Sequence, residues 1–303
     1  MNSFNFVRKY AEILKQFLQW VVKWVLYSNL FIAVCALAFT LEAYYLLQAE
    51  PKTKLLIFFN GIATLFVYLL IRLAAIHRIR SYEPEERWNY FLKHLFYMRI
   101  LAVFAFVGCF IFFIYLEKNI QFAFIVPGVI SVMYGISFLV NGKKFRLRDV
   151  GIVKIFLICF VWAYIASVLP ALDAGVEIMS IKIYLLFATN FLFIFAIALP
   201  FDIKDMKIDA LNDVKTIPGL LGVENTYSLS FICLFIAAGI HFYMQNDSKI
   251  VDYRVPVGVS MLITGLTVYT TRKKQDNFLY FGLLDGMILI QFLLIYSYSH
   301  LHE

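Results

Sequence analysis

Long apolar runs separated by short charged segments make up most of the chain. Nine stretches, at about 25–48, 54–76, 98–116, 120–140, 152–172, 180–200, 227–245, 253–271 and 278–299, are each long enough to cross a bilayer as a helix. A hydrocarbon core about 30 Å thick takes about 20 helical residues. Membrane β-strands are excluded, because they alternate apolar and polar residues and show no unbroken apolar run. The pattern predicts an all-α, polytopic membrane bundle of nine transmembrane helices. Residues 1–24 differ. Phe4, Val7, Ile13, Leu14, Phe17, Leu18, Val21 and Val22 recur at helical spacing, with Arg8, Lys9, Glu12, Lys15 and Lys23 between them. This segment reads as an amphipathic helix lying on the bilayer surface, not as a cleaved signal peptide. It leads into one transmembrane unit, residues 25–303. The loops leave no room for a soluble domain.

Composition agrees with this reading. Of 303 residues, 62% are hydrophobic and 16% charged, with a mean hydropathy of +0.78. Soluble domains are about 45–50% apolar and about 25% charged. A soluble globule, a disordered chain and a disulfide scaffold are therefore excluded. The 32 Phe and 19 Tyr predict an aromatic interior. Cys35, Cys109, Cys159 and Cys233 each sit inside an apolar run, where cysteine acts as a small hydrophobe.

The net charge of +7 raises the question of nucleic acid, but the basic residues mark membrane topology instead. The N-terminus and the loops after spans two, four, six and eight hold 21 of the 27 Lys and Arg. That side is expected to be cytoplasmic. The longer loops, 77–97, 141–151 and 201–226, lie on it as well, so any chemistry is expected there.

Acidic residues are uneven. Four of the ten Asp fall between Asp202 and Asp213, just past span six, and residues 1–148 contain none. Asp202, Asp205 and Asp209 are spaced i, i+3 and i+7. If span six continues as a helix past Pro200, they share one face. Converging carboxylates need a cation, and oxygen ligands of this kind suit Mg²⁺ shared with a substrate phosphate. The alternative is a solvated helix end neutralised by Lys204, Lys207 and Lys215.

The segment DIKDMKIDALNDVKTIPGLLG resembles the second aspartate-rich motif of the UbiA superfamily of intramembrane prenyltransferases. In that family a DxxDxxxD segment lies at the cytoplasmic end of the sixth of nine helices around a central cavity. The similarity extends to Thr216, Pro218, Leu221 and Gly222. Arg146–Pro170 also resembles the matching region of UbiA-like proteins from Bacteroidetes. One departure is plain. The family's first motif, NDxxDxxxD, belongs at the end of span two, but Asn60–Trp88 contains no Asp and offers Arg72, His77, Arg78 and Arg80 instead.

The resemblance implies a prenyl diphosphate donor, with Mg²⁺ on Asp202, Asp205 and Asp209. It also implies an allylic cation attacked by an aromatic or lipid acceptor. No nucleic-acid partner is implied. With the first motif missing, basic residues can clamp phosphate directly. Arg72, inside an apolar run, either snorkels to the interface or turns toward the cavity mouth, facing Asp202 and Asp205. Arg78, Arg80, Lys143, Lys144, Arg146 and Arg148 add basic charge on the same side. Asn29 and Tyr134, with Tyr68, Tyr97 and Tyr227, are further candidates near the cytoplasmic ends of their spans. Asp285 either lines the cavity or caps an irregularity at Gly286. Glu42 is expected near the outer headgroups. A non-catalytic binder of an isoprenoid or lipid phosphate on the same fold is the competing reading.

Overall fold

A membrane helix enclosed by other helices is apolar all round, whereas a peripheral one meets lipid with its side chains. The two cases separate in the computed structural model of the chain. It describes all residues except 1, 80–85, 137, 141–142, 146, 148–149, 212–213, 246–250, 275 and 303. For residues 2–11, 77–79, 138–140 and 143–145 only the backbone is described. Helix α1 (Asn2–Tyr27) carries exposed Ile13, Leu14, Phe17, Leu18 and Trp20. It breaks at Ser28–Asn29, where Asn29 takes a left-handed φ of 68°, a conformation Asn tolerates. Helix α2 (Leu30–Leu47) is 67% buried and runs through the centre. Next come α3 (Leu55–Ile79), the short α4 (Glu86–Lys93) and α5 (Leu95–Tyr115). Only 17% of α5 is buried, so it forms part of the lipid-facing rim.

Helix α6 (Lys118–Gly135) leads to a small hairpin, β1 (Phe138–Val140) with β2 (Lys143–Phe145). The expected fifth span is divided into α7 (Val153–Ile165) and α8 (Val168–Asp173). Two buried carboxamides satisfy the carbonyls freed at this break. Asn60 Nδ2 donates to Ile165 O and Asn190 Nδ2 to Ala166 O, at 3.4 and 2.9 Å. Helix α9 (Ile181–Leu211) follows, then α10 (Ile217–Leu221), α11 (Val223–Met244) and α12 (Arg254–Thr271). A π-helical turn, Leu279–Leu284, opens α13 (Asp285–His302). Helix α9 packs against α7 and α11, and α2 against α3 and α13.

Among the described residues, seven helical segments are long and apolar enough to cross a bilayer: α2, α3, α5, α7 with α8, α9, α11, and α13 with its π turn. Helices α6 and α12, expected as spans four and eight, have 18 residues each and open on Lys118 and Arg254. The expected count of nine depends on those two.

Side-chain contacts sort the loops into two ends. One end gathers Lys52 with Glu117, Gln48 with Val251 O, and Lys182 with Leu47 O. The other gathers Asn29, Arg87, Lys154, Asp202 and Asp209. Glu42 does not reach the headgroups as expected. It is 1% exposed and accepts a 2.6 Å hydrogen bond from Gln291 Nε2 inside the bundle.

Candidate functional site

Helix α9 has 31 residues. At 1.5 Å per residue that is about 46 Å, well beyond the hydrocarbon core. Its last turns therefore project past the core and carry the acidic cluster. Pro200 lies inside the helix without ending it. Asp202 and Asp209 point to one place, as the i, i+7 spacing predicts, and the group they meet is Lys154. Its Nζ lies 3.0 Å from Asp202 Oδ1 and 2.6 Å from Asp209 Oδ2. Lys154 and Asp202 are each 6% exposed, and Asp202 Oδ2 is buried without a partner. Asp205 is half-buried and lies within electrostatic range of Asp202 and Arg87. Asp213 lies outside the described residues.

The chain past α9 helps set this geometry. Val214 N–H bonds Asp209 O at 2.9 Å, and Thr216, Ile217 and Pro218 are buried. The backbone then passes so close to Gly151 that a Cβ there would stand 2.3 Å from Lys215 O. Glycine at 151, with φ of 36°, lets the turn before α7 come this near α9, three residues ahead of Lys154.

Arg72 is buried, and its guanidinium serves packing. Nη1 donates to Tyr27 O at 2.9 Å, and the group lies 5.8 and 5.6 Å from the Trp88 and Phe91 rings. These contacts tie α3 to α1 and α4. The guanidinium within electrostatic range of Asp205 and Asp285 is that of Arg87, on α4. Arg87 Nη2 donates to Asn29 Oδ1 at 3.0 Å, and the guanidinium lies 3.5 Å from the Phe281 ring centroid. Arg87 Nε and Asn29 Nδ2 are both buried without a partner. Burial pulls the Arg87 pKa down to about 10, partly offset by Asp285, and leaves it charged at neutral pH.

Helix α4 is held by Glu86, which pairs with Lys23 at 2.6 Å and accepts from Tyr27 OH at 3.2 Å. The Lys23 contact holds the Glu86 carboxyl below its ordinary range. The π turn supplies Tyr280 and Phe281, and Lys204 Nζ lies 5.3 and 4.8 Å from their rings. Lys204 also donates to Asn277 Oδ1 at 3.0 Å. Tyr68 couples electrostatically to Asp285, Tyr134 and Arg87, which joins these residues to the same end of the bundle.

The outcome for the expected site residues is mixed. Asp202, Asp209, Asn29 and Tyr134 fall in or beside this constellation. Arg78 lies on α3 and Lys143 on β2, but their side chains are outside the description, and Arg80 and Arg146 lie outside the described residues. Lys154, Arg87 and Lys204 were not singled out as binding groups. Lys154 had a signal, a lone charge two residues into an apolar run. Arg87 had none, standing among the acidic residues of EPEERW.

Among the described residues, the donors present do not fit a resident divalent ion. Among the described residues, no three His, Cys, Asp or Glu side chains are grouped to hold one. Asp202 and Asp209 already share the Lys154 ammonium, and span two brings no Asp.

The fold is that of the UbiA homologues. A UbiA homologue from Archaeoglobus fulgidus, bound to GPP and Mg²⁺, matches with a TM-score of 0.63 at 12% identity, covering 90% of this chain and 99% of that one. The same homologue bound to DMAPP and Mg²⁺ matches at 0.61 and 14%, with the same coverage. An apo UbiA homologue from Aeropyrum pernix K1 matches at 0.55 and 14%, covering 91% and 97%. At these identities the likeness establishes the fold alone. No protein-family model and no curated protein matches the chain.

Proposed function

We propose that this chain is a UbiA-type integral membrane prenyltransferase. It takes a prenyl diphosphate with its head at the end of the bundle holding Arg87, Lys154 and the aspartates. It transfers the isoprenoid to an aromatic or lipid acceptor in the membrane. That end faces the cytoplasm, following the basic loops, and in a bacterium the membrane is the inner one. The observation that carries this reading is a cluster of buried and half-buried ions, Lys154, Asp202, Asp205, Asp209 and Arg87, gathered at one end of a UbiA fold. Buried ions cost several kcal/mol each even when paired, so their placement calls for a role beyond stability.

In this reading Arg87 and Asn29 present N–H groups to diphosphate oxygens. Phe281, Tyr280 and Tyr68 shield the allylic carbon from water and turn aromatic faces toward positive charge. The allylic C–O bond breaks with its electron pair leaving on the diphosphate. The acceptor then forms the new bond, and the departing diphosphate takes up the acceptor's proton. Mg²⁺ accompanies the prenyl diphosphates of the relatives. Among the described residues no three-donor site is offered to it, so no step is assigned to it.

The lysine-neutralised aspartate pair favours a second reading, a non-catalytic protein that binds the same ligand. Purified protein in lipid nanodiscs, given labelled geranyl diphosphate and membrane lipid extract, separates the two. Labelled lipid product with diphosphate release, both lost in Arg87→Met and Asp202→Asn, supports the transferase. Binding without release supports the carrier, and absence of both removes the ligand class.

A further inference from the structure

Resting on the reading that this site takes a prenyl diphosphate, we infer that Arg87, Asn29 and Lys204 hold the diphosphate directly and that no divalent ion is required. Three observations lead there. The first is a pair of unmet donors. A guanidinium can only donate, so the 3.0 Å contact from Arg87 Nη2 fixes the Asn29 carboxamide with its oxygen toward Arg87. Its Nδ2 is then left buried and without an acceptor, in a residue 1% exposed, and Arg87 Nε is likewise buried and unmet. Two adjacent buried donors without acceptors are costly unless a ligand supplies them. An oxyanion with several oxygens on one centre matches a guanidinium edge beside an amide N–H.

The second observation is a convergence of like charge. Arg87 comes from α4 and Lys204 from α9, yet both lie within 5 Å of the Phe281 ring centroid, at 3.5 and 4.8 Å. Asp205 and Asp285 lie in electrostatic range of Arg87, and Asn277 accepts from Lys204. Neither Asp205 nor Asp285 supplies the acceptor that Arg87 Nε and Asn29 Nδ2 lack. The third observation concerns the acids. The pair best placed to hold a metal, Asp202 and Asp209, is closed around Lys154. Cationic and anionic halves of the site are thus built from fixed side chains.

The test is equilibrium binding of labelled geranyl diphosphate to the full chain in nanodiscs, in EDTA and in Mg²⁺, with inorganic diphosphate as competitor. The expected result is affinity in EDTA within about threefold of that in Mg²⁺, since fixed cations replace the ion, with competition by inorganic diphosphate. Arg87→Met should lower affinity in EDTA by roughly 100-fold. Asn29→Gly, which keeps the left-handed backbone and deletes the amide, should lower it about 10-fold. Arg87→Lys should fall between wild type and Arg87→Met, retaining charge without the planar fork. Lys204→Met and Asn29→Gly carry the test if Arg87→Met does not fold. Binding seen only with Mg²⁺ overturns this inference and leaves the prenyl diphosphate reading standing. Binding in EDTA unchanged by Asn29→Gly and Lys204→Met overturns the assignment of residues. No binding in either condition overturns both readings.

Discussion

Replacing Lys154 with Met removes one positive charge and strands two negative ones. The ammonium lies 3.0 Å from Asp202 Oδ1 and 2.6 Å from Asp209 Oδ2, with the three side chains 7%, 9% and 19% exposed. Methionine preserves most of the apolar stem, so the change is chiefly electrostatic. Removing one partner of a buried pair costs about 3–5 kcal/mol. The stranded carboxylates also repel, by about 3 kcal/mol for unit charges roughly 5 Å apart at an effective dielectric constant near 20. Protonation of one Asp relieves part of this, so the net expectation is a loss of about 4 kcal/mol at neutral pH. Unfolding in mixed micelles, followed by circular dichroism, measures it. Adding Asp202→Asn to Lys154→Met should recover about half of the loss, because one buried charge is then gone. The variant should also gain something the wild type lacks. With the ammonium removed, two carboxylates face one vacated position, so millimolar Mg²⁺ should raise the stability of Lys154→Met and leave wild type unchanged. A Lys154→Met protein within about 1 kcal/mol of wild type, below the buried-pair range, refutes the reasoning. Equal Mg²⁺ stabilisation of both proteins does so as well.

Arg72→Met should destabilise the chain by about 2–3 kcal/mol through loss of a charged hydrogen bond and two aromatic contacts. Geranyl diphosphate binding should stay within about threefold of wild type, as expected of a group that packs α3 against α1 and α4. A binding loss matching that of Arg87→Met would show that Arg72 contacts the ligand. Asn190→Ala should cost about 1–3 kcal/mol in unfolding experiments, because it leaves Ala166 O unpaired at the α7–α8 break; no loss would mean that water caps the carbonyl equally well. The Glu86 carboxyl is held below its ordinary range by Lys23. Its contribution to holding α4 is therefore full above the ordinary carboxylate pKa and fades as pH falls through the lowered value. Trp88 fluorescence, in a variant keeping only that tryptophan, should change over that acidic interval and lose the change in Glu86→Gln.

The apolar runs made the membrane bundle legible because twenty consecutive apolar residues have few other solutions in a folded chain. The aspartate face on α9 was legible for a similar reason, since spacing along one helix fixes which side chains share a side. What opposes that face was not legible. Lys154 meets Asp209 across 55 positions of sequence and Asn29 meets Arg87 across 58, and neither pairing has a local signature. Arg72 was the expected counter-charge because it stood alone in an apolar run. A lone buried charge needs partners, but its position along the chain does not say which ones. Here they are a backbone carbonyl and two rings. Glu42 was misplaced on the same grounds, because depth along α2 was read without the neighbouring α13 that brings Gln291 to it.

The charges at the mouth account for each other. Without a ligand, ions at this depth are held at least cost when fixed charges offset one another, since uncompensated charge in a low dielectric is costly. Three aspartates on α9 would need a divalent ion, a set of fixed cations, or both. This chain places a lysine at the start of α7 between two of them, and an arginine on α4 within range of the third and of Asp285. Absence of aspartates from the end of span two and presence of Lys154 and Arg87 then express one condition. Acids on span two would demand metal, whereas without them the fixed cations nearly balance the acids of α9. The fold carries either arrangement, because the apolar spans that build it are distinct from the residues that set its charge. Likeness in architecture therefore establishes the fold, whereas the proposed means of holding a ligand rests on this chain's own Arg87, Asn29 and Lys204.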